Sequence, residues 1–390
     1  MNRTLRLLVL LLAVQLLNAC GWNPIAFITG GDDDEVKPAK LVSIEEEVRL
    51  RRLWNVNIGN GQGKKYNRLK SAIEGDVIFV ASSNGDVFAL NRENGNRLWR
   101  TRLDAVITGG VGAGGGLVLV GTENSSVIAL DAETGEQQWE TQVSSEVLSA
   151  PATDGEVVAV MAVDGKLSGH DADSGEQIWI YESTVPALTL RGTSSPLILE
   201  NFLLAAFSNG TVVSLALDNG TLRWEERVAI PTGTSEIDRI VDIDGDLFIA
   251  DNGLLLVPSF QGYLAAIDVI TGQTRWRVRE SSANGASSGF GNIYISDERG
   301  HVKAYRSGEE DIVWSNEALD LRNVSAPESF SSYVAVGDYE GYVHLLSQVD
   351  GRFVGRTRVD RSGIRASMQS QGNTLYVYGN GGNLSALTVQ

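Results

Sequence analysis

Three histidines are the side chains of this 390-residue chain that could serve as general bases or metal ligands near neutral pH. Relative to the sequence repeat of the chain, His170 takes a strand position that is Leu in other units, His301 falls near a turn, and His344 lies within a strand. Because the three histidines occupy different positions within the repeating unit, nothing indicates that they converge on one metal ion or one catalytic triad. The glycine-rich segment 109–116 precedes a strand, so it lacks the helix N-terminus that binds phosphate. We therefore predict no catalytic residues, no cofactor and no metal site.

The single cysteine, Cys20, follows a segment with the features of an export signal. Arg3 and Arg6 precede the apolar run Leu7–Leu16, which is shorter than the roughly 20 residues of a membrane-spanning helix but typical of a secretory signal. Residues 17–20 (LNAC) resemble the lipobox, in which cleavage before the cysteine makes its thiol the lipid attachment point. We predict that residues 1–19 are a lipoprotein signal peptide and that Cys20 is lipidated; a plain signal with an incidental cysteine is the alternative.

Residues 20–42 are predicted to form the lipidated cysteine and a flexible acidic tether. The run 32–35 (DDDE) is interpreted as exposed charge, with a metal site as the weaker alternative. Gly21, where an Asp commonly signals inner-membrane retention, favours the outer membrane. The formal net charge is −17, and removing Arg3 and Arg6 with the signal gives −17 − 2 = −19. A surface this acidic repels nucleic acid, so a positive patch on another protein is the more natural partner.

The body of the chain repeats from about residue 53 onward. The units start at positions 84, 124, 164, 209, 261, 299, 340 and 381, at intervals of 40, 40, 45, 52, 38, 41 and 41 residues. Each unit is predicted to contain four strands, with a hairpin such as 131–135 (DAETG) before the last of them. Repeats of this length with several short strands indicate an all-β propeller.

A tryptophan 15 positions after the start of each of the first six units is predicted to pack against the neighbouring blade. In the seventh unit Gly355 takes that position, and the eighth unit stops at Gln390 before its last strand. The strand around Trp54 has no unit of its own, so we predict that it completes the last blade and removes the open edges. The prediction is an eight-bladed propeller over residues 43–390, packed by Trp54, Trp99, Trp139, Trp179, Trp224, Trp276 and Trp314.

The segment 129–139 (ALDAETGEQQW) resembles the repeat of pyrroloquinoline-quinone-dependent propellers, A-x-D-x-x-T-G-x-x-x-W. With the lipobox and the eight blades, the chain resembles the BamB family, the propeller lipoproteins of the outer-membrane barrel assembly machinery. Segments 185–192, 233–239, 337–342 and 350–354 are similar to characteristic stretches of that family. The resemblance implies a scaffold on the periplasmic side of the outer membrane. Such a scaffold would bind the POTRA domains of the barrel-forming subunit and aid insertion of β-barrel proteins.

Two intervals between repeats are longer than the rest, and their extra residues follow Trp179 and Trp224. Both insertions connect the outer strand of one blade to the inner strand of the next, so we expect them side by side on one face, where repeat proteins often bind partners. The candidate contact residues are Leu188, Leu190, Arg191, Asp242 and Asp244. The resemblance implies that these positions make the POTRA contact. The alternative is that the leucines fold back onto the propeller and the aspartates cap a turn.

The sequence leaves three possible functions open. The first is the barrel-assembly scaffold, with unfolded outer-membrane proteins as a second expected partner through strand addition. The second is a quinone-cofactor dehydrogenase or sensor, although the chain lacks the adjacent cysteine pair of many quinoprotein alcohol dehydrogenases. The third is an adaptor for another envelope complex.

Overall fold

The structure is a computed structural model that describes residues 37–390. In this part of the chain, 32 strands form eight four-stranded antiparallel sheets, which confirms the predicted all-β, eight-bladed propeller. No helix long and apolar enough to cross a membrane occurs among these residues. The predicted signal peptide and the predicted lipidation site Cys20 lie outside the described residues.

Strands are numbered along the chain, and each blade runs from its innermost strand to its outermost. Blades 1 to 4 are β2–β5 (Ala72–Glu74, Val77–Ala81, Asp86–Asn91, Arg97–Arg102), β6–β9 (Ile107–Gly114, Leu117–Thr122, Ser126–Asp131, Gln137–Gln142), β10–β13 (Ala152–Thr153, Val157–Met161, Lys166–Asp171, Gln177–Glu182) and β14–β17 (Leu197–Leu199, Phe202–Ala206, Thr211–Ala216, Leu222–Arg227). Blades 5 to 7 are β18–β21 (Phe248–Ile249, Leu254–Pro258, Tyr263–Asp268, Thr274–Arg279), β22–β25 (Ser287–Gly289, Asn292–Ser296, Val302–Arg306, Ile312–Asn316) and β26–β29 (Glu328–Phe330, Tyr333–Gly337, Tyr342–Ser347, Phe353–Arg358). Blade 8 is β30–β32 (Gln369–Gln371, Thr374–Tyr378, Asn383–Val389) followed by β1 (Leu50–Asn57).

The position of a strand within its blade explains its sequence pattern. The second and third strands pack against neighbouring blades on both faces, so β3 and β4 are buried almost throughout. The outermost strands alternate, and in β9 Trp139 is buried between exposed neighbours. The hairpin before β9 is held by Asp131, whose Oδ1 accepts the backbone N–H of Thr134 at 2.7 Å, and Gly135 adopts a φ of +76°.

Each tryptophan of an outermost strand docks on that hairpin in the next blade. Trp99 donates from Nε1 to the carbonyl of Ala132 at 2.9 Å, and its ring lies against Gly135, where a Cβ would be 2.7 Å away. The same N–H to carbonyl contact occurs for Trp54, Trp139, Trp179, Trp224 and Trp314. Trp276 packs against blade 6 but its Nε1 has no hydrogen-bond partner among residues 37–390. The hairpin of blade 6 explains the difference: its glycine, Gly308, does not reach the Trp276 ring, since nothing lies within 4 Å of a Cβ built on it.

The ring closes through β1, which pairs antiparallel with β32 and places Trp54 opposite Ala386. This confirms the prediction that the first strand completes the last blade. The closure also explains Gly355. The last two strands of blade 8, β32 and β1, are not consecutive in the sequence, so no hairpin joins them. A tryptophan from blade 7 would therefore have no hairpin on which to dock. The carbonyl of Val48 takes that space, 2.7 Å from where a Cβ on Gly355 would lie.

Residues 39–48 form a strap along the outer edge of blade 7. Both Glu47 and Val48 donate their backbone N–H to the carbonyl of Val354, at 2.9 and 3.1 Å. Arg322 donates to the carbonyl of Ala39, and Arg356 donates to that of Val42. Residues 39–42, placed by sequence in the tether, therefore contact the propeller.

The two arginines that hold the strap are joined by buried groups. Arg356 donates from Nε to Nδ1 of His344 at 2.9 Å, so the proton of His344 is on Nε2, which lies 3.0 Å from Asp338 Oδ2. Arg322 donates to the same carboxylate oxygen at 2.7 Å. His344 and Asp338 are fully buried, so this chain of hydrogen bonds is structural and does not face a substrate.

Candidate docking face

The connections from each outermost strand to the next blade all lie on one end of the propeller, here called the loop face. Loop one (183–196) joins blades 3 and 4, and loop two (228–247) joins blades 4 and 5. These are the two insertions identified from the repeat spacing. A third connection, loop three (58–71), joins blades 8 and 1 and is as long as loop one.

Loop one presents the predicted contact residues in different ways. Leu188 is 46% exposed, whereas Leu190 is partly buried. Arg191 donates to both carboxylate oxygens of Glu146, at 3.0 and 2.8 Å. These hydrogen bonds raise the pKa of Arg191 and hold its guanidinium in one orientation. The loop therefore displays an apolar side chain beside a fixed cation, a combination common at protein interfaces.

The two predicted aspartates of loop two lie beneath the surface. Asp242 is 0% exposed and Asp244 is 8% exposed. Asp242 accepts the backbone N–H of Leu190, and the Asp244 carboxylate lies under Gly192, where a Cβ would be 2.7 Å from it. Both carboxyls therefore face loop one instead of solvent, and Asp242 binds an N–H that the loop backbone offers; their part in a partner contact stays a prediction. Their effect on a partner would pass through the shape of loop one.

Burial changes the acidity of both carboxyls. It raises the pKa of Asp242 to about 8, and the nearby charge of Asp244 adds to the shift. Burial raises the pKa of Asp244 to about 6, against the opposing effect of the positive charge of Arg68. Near neutral pH Asp242 is therefore mostly protonated, which removes the penalty for a buried charge under loop one.

Side chains from opposite blades close the central channel behind this face. Lys70, before blade 1, lies 2.8 Å from Asp246, before blade 5. Arg68 crosses in the same direction and donates to the carbonyl of Ala283 at 2.7 Å. Between Arg68, Lys70 and Asp246 the cavity is about 40 Å³, so the channel is closed at this level. A groove of about 330 Å³ shares Arg68 and Asp244 with this cavity.

The histidines lie in three different blades. His170 is buried and contacts Ser168 and the carbonyl of Gly175, and His301 lies between Asp297 and Asp320. Within residues 37–390, no group of three or more His, Cys, Asp or Glu side chains is arranged to hold a metal ion.

Sequence reasoning missed loop three, and a signal for it was present. The distance from Trp54 to the unit start at position 84 equals the distance from Trp179 to the unit start at position 209. The second of these intervals contains loop one. Intervals between unit starts cannot show it, because the first unit has no preceding start. Tyr66 and Arg68 of loop three line the same groove as Leu190 and Arg191 of loop one.

Comparison with known proteins agrees with the fold and identifies a family. Residues 51–107 and 83–316 match the family model described as "Outer membrane protein assembly factor BamB". A relative of that name from Pseudomonas aeruginosa is 57% identical over 356 residues, which cover 91% of this chain and 93% of the relative. The crystal structure of BamB from Moraxella catarrhalis superposes with a TM-score of 0.80 at 28% identity and covers 87% of this chain and 99% of that one.

Quinoproteins share the fold alone. The quinohemoprotein alcohol dehydrogenase from Comamonas testosteroni reaches a TM-score of 0.68 at 14% identity, covering 87% of this chain and 76% of that one. At that identity the likeness shows the fold and carries no cofactor. The chain belongs to the BamB family of non-enzymatic outer membrane protein assembly factors.

Proposed function

We propose that this chain is a lipid-anchored scaffold whose loop face binds the POTRA domains of the barrel-forming subunit. Through that contact it aids folding and insertion of β-barrel proteins at the periplasmic side of the outer membrane. The observation that carries the proposal is the exposure of Leu188 on a loop whose backbone is held from beneath by Asp242. A loop held in one conformation loses little entropy on binding, so its exposed apolar side chain contributes more to affinity.

The test is capture of the barrel-forming subunit from detergent-solubilised outer membranes. The variant carries Leu188→Ala, Leu190→Ala and Arg191→Ala. The matched control carries Ile178→Ala, Ile180→Ala and Arg97→Ala, which removes two exposed aliphatic side chains and an exposed arginine from outermost strands. We expect wild type and control to capture the subunit and the loop variant to lose it. Capture by all three would move the interface elsewhere, and capture by none would favour an adaptor for a different complex.

Lipid anchorage is tested separately, since Cys20 lies outside the described residues. We propose that Cys20 carries the acyl chains, because it is the single cysteine and follows a lipobox-like sequence. Mass spectrometry of the mature N-terminus should find acylated Cys20. A Cys20→Ala variant should leave the membrane fraction. An unmodified thiol at the mature N-terminus would contradict this part of the proposal.

Direct binding of unfolded outer-membrane proteins is a further part of the proposal. Outermost strands such as β13 leave one edge unpaired within the described residues, and such an edge can accept an added strand. Site-specific crosslinkers placed along β13 should then capture unfolded barrel segments. Crosslinks found only at the loop face would remove this role and leave the scaffold.

A further inference from the structure

Loop three carries a concentration of positive charge in a chain of net charge −17. Lys64, Lys65, Arg68 and Lys70 all fall in the segment 59–71, which contains no acidic residue. The neighbouring connection between blades 7 and 8 adds Arg361 and Arg365. We call the surface formed by Lys64, Lys65, Tyr66, Arg68, Arg361 and Arg365 the basic patch.

The conformation of loop three is fixed by buried contacts. The side chain of Gln62 is fully buried; it donates to the carbonyl of Leu69 at 2.6 Å and accepts the N–H of Leu69 at 2.7 Å. Gly61, with a φ of +56°, lies so close to blade 8 that a Cβ would clash with the carbonyl oxygen of Asn380. The exposed segment Lys64–Tyr66 is therefore displayed from a fixed base and is not a free charged run.

The aromatic ring of Tyr66 lies between two guanidinium groups. The Cζ atoms of Arg68 and Arg365 are 5.7 and 4.7 Å from the ring centroid. Their hydrogen bonds go to neutral acceptors: Arg68 to the carbonyl of Ala283, and Arg365 to the side-chain oxygen of Asn380 and the carbonyl of Lys65. Burial lowers the pKa of Arg365, and the positive charge of Arg68 acts in the same direction. Arg68 also acts on the carboxyl of Asp244, so of the two cations Arg365 is the one held on neutral acceptors, an arrangement that an incoming carboxylate would stabilise.

One carboxylate reaches the basic patch from within the described chain. Glu123, on blade 2, lies 2.7 Å from Lys65, and both side chains are partly exposed. This contact shows that an acidic group from outside the loop can approach the patch. Lys64 and Arg361 are exposed and point the charge toward solvent.

The basic patch is continuous with loop one. Tyr66, Arg68, Leu190 and Arg191 line a single groove of about 330 Å³, together with the acidic residues Asp244, Asp297 and Glu298. A partner seated on Leu188 and Arg191 would therefore extend over loop three. Tyr and Arg are the residue types that most often dominate binding energy at protein interfaces.

We infer that the basic patch binds an acidic segment of the protein partner that docks on loop one. This inference rests on the proposed function and adds a second contact with a defined chemistry. The apolar and Arg191 contacts of loop one supply the anchor, and the patch supplies long-range attraction and orientation. The patch departs from the expectation of a positively charged partner, which rests on the net charge of −17, because its cations attract acidic segments locally.

The test measures affinity for purified POTRA domains as a function of salt. The patch variant carries Lys64→Glu, Lys65→Glu and Arg361→Glu. The control carries Arg51→Glu, Arg52→Glu and Arg97→Glu, which changes the net charge by the same amount on outermost strands away from the loop face. We expect Kd to rise about tenfold in the patch variant and less than about twofold in the control, with the difference lost in high salt. Equal effects of the two variants would overturn the inference.

A second probe separates failure of the inference from failure of the proposed function. If wild type does not bind POTRA domains, the scaffold proposal fails, and binding of a poly-glutamate peptide decides the inference. Peptide binding by wild type that the patch variant loses would support it, and no binding by wild type would overturn it. Phosphatidylglycerol vesicles form the third arm. If vesicles bind through the patch and neither the peptide nor the POTRA domains bind, the patch would be assigned to a lipid surface. That result would overturn the inference that the patch binds a protein partner.

Discussion

Asp242 offers a direct test of how loop one is held. Its carboxyl is fully buried and accepts the Leu190 N–H, and burial raises its pKa from 3.8 to about 8. The folded protein therefore keeps a proton that the unfolded chain releases, so stability falls as pH rises between roughly 4 and 8. We predict that Asp242→Asn removes this loss while it keeps an oxygen that can accept the Leu190 N–H.

The magnitude follows from the size of the shift. One pKa unit corresponds to about 1.4 kcal/mol, so even half of the shift from 3.8 to about 8 makes the ionised carboxyl cost about 3 kcal/mol at pH 9. The variant amide has its own unpaired donors, so its stability at pH 5 can lie above or below wild type. The prediction concerns the change with pH. The unfolded carboxyl is already ionised by pH 5, so only about 0.9 pKa unit of the halved shift remains above that pH, and from pH 5 to pH 9 the variant should lose about 1.3 kcal/mol less than wild type.

Equilibrium urea unfolding at pH 5, 7 and 9 provides the assay. The control is Asp238→Asn in the same loop, because Asp238 is exposed and hydrogen bonds from Ser235 lower its pKa. Its difference from wild type should not grow toward pH 9. Parallel pH curves for wild type and Asp242→Asn would refute the account, because they would mean that Asp242 titrates alike in the folded and unfolded chain.

Two further perturbations test the packing of the ring and the strap. Gly135→Ala places a Cβ 2.7 Å from the Trp99 ring at a φ of +76°; urea unfolding should show a loss of about 3 kcal/mol. Gly308→Ala, whose Cβ meets nothing within 4 Å, should lose only about 1 kcal/mol; equal losses would contradict the docking contact. Burial lowers the pKa of His344 despite the hydrogen bond to Asp338. Neutral His344 therefore contributes to the free energy of unfolding above its unfolded-state pKa of about 6.5, and this contribution is lost as pH falls through the folded-state pKa. The protection of backbone amides in residues 39–48 against hydrogen exchange, expressed relative to the intrinsic exchange rate at each pH, should therefore fall on acidification toward pH 5 in wild type and much less in His344→Gln. The same fall in both would rule out His344 as the proton acceptor.

The number of blades and the ring closure could be predicted because they depend on contacts that the sequence repeats. The docking of one tryptophan on the next hairpin recurs at a fixed spacing, so the unpaired Trp54 and the shortened eighth unit indicate the same missing strand. Even the exception follows this rule. Gly355 takes the place of a tryptophan in blade 7, and blade 7 precedes the blade whose last two strands, β32 and β1, are not joined by a hairpin.

The details of the docking face could not be predicted from the same pattern. The hydrogen bond from Leu190 to Asp242 joins irregular loops 52 residues apart, and no periodicity specifies which carboxyl turns inward. A sequence shows the spacing of Asp242 and Asp244 but not their burial, so it left open whether they contact a partner or cap a turn. The path of the strap also escaped prediction, because Arg322 and Arg356 reach it from strands and loops near the other end of the chain.

The crossing side chains in the central channel bear on the proposed docking of a protein partner on the loop face. In a ring, loops from opposite blades end at the same opening, so Lys70 and Asp246 meet although one precedes blade 1 and the other precedes blade 5. Here the crossing side chains fill that opening and join loops one, two and three into one continuous surface. A broad face with an apolar anchor, a fixed cation and an adjacent basic patch suits a protein partner, since area and hot-spot residues, not depth, determine binding at such surfaces.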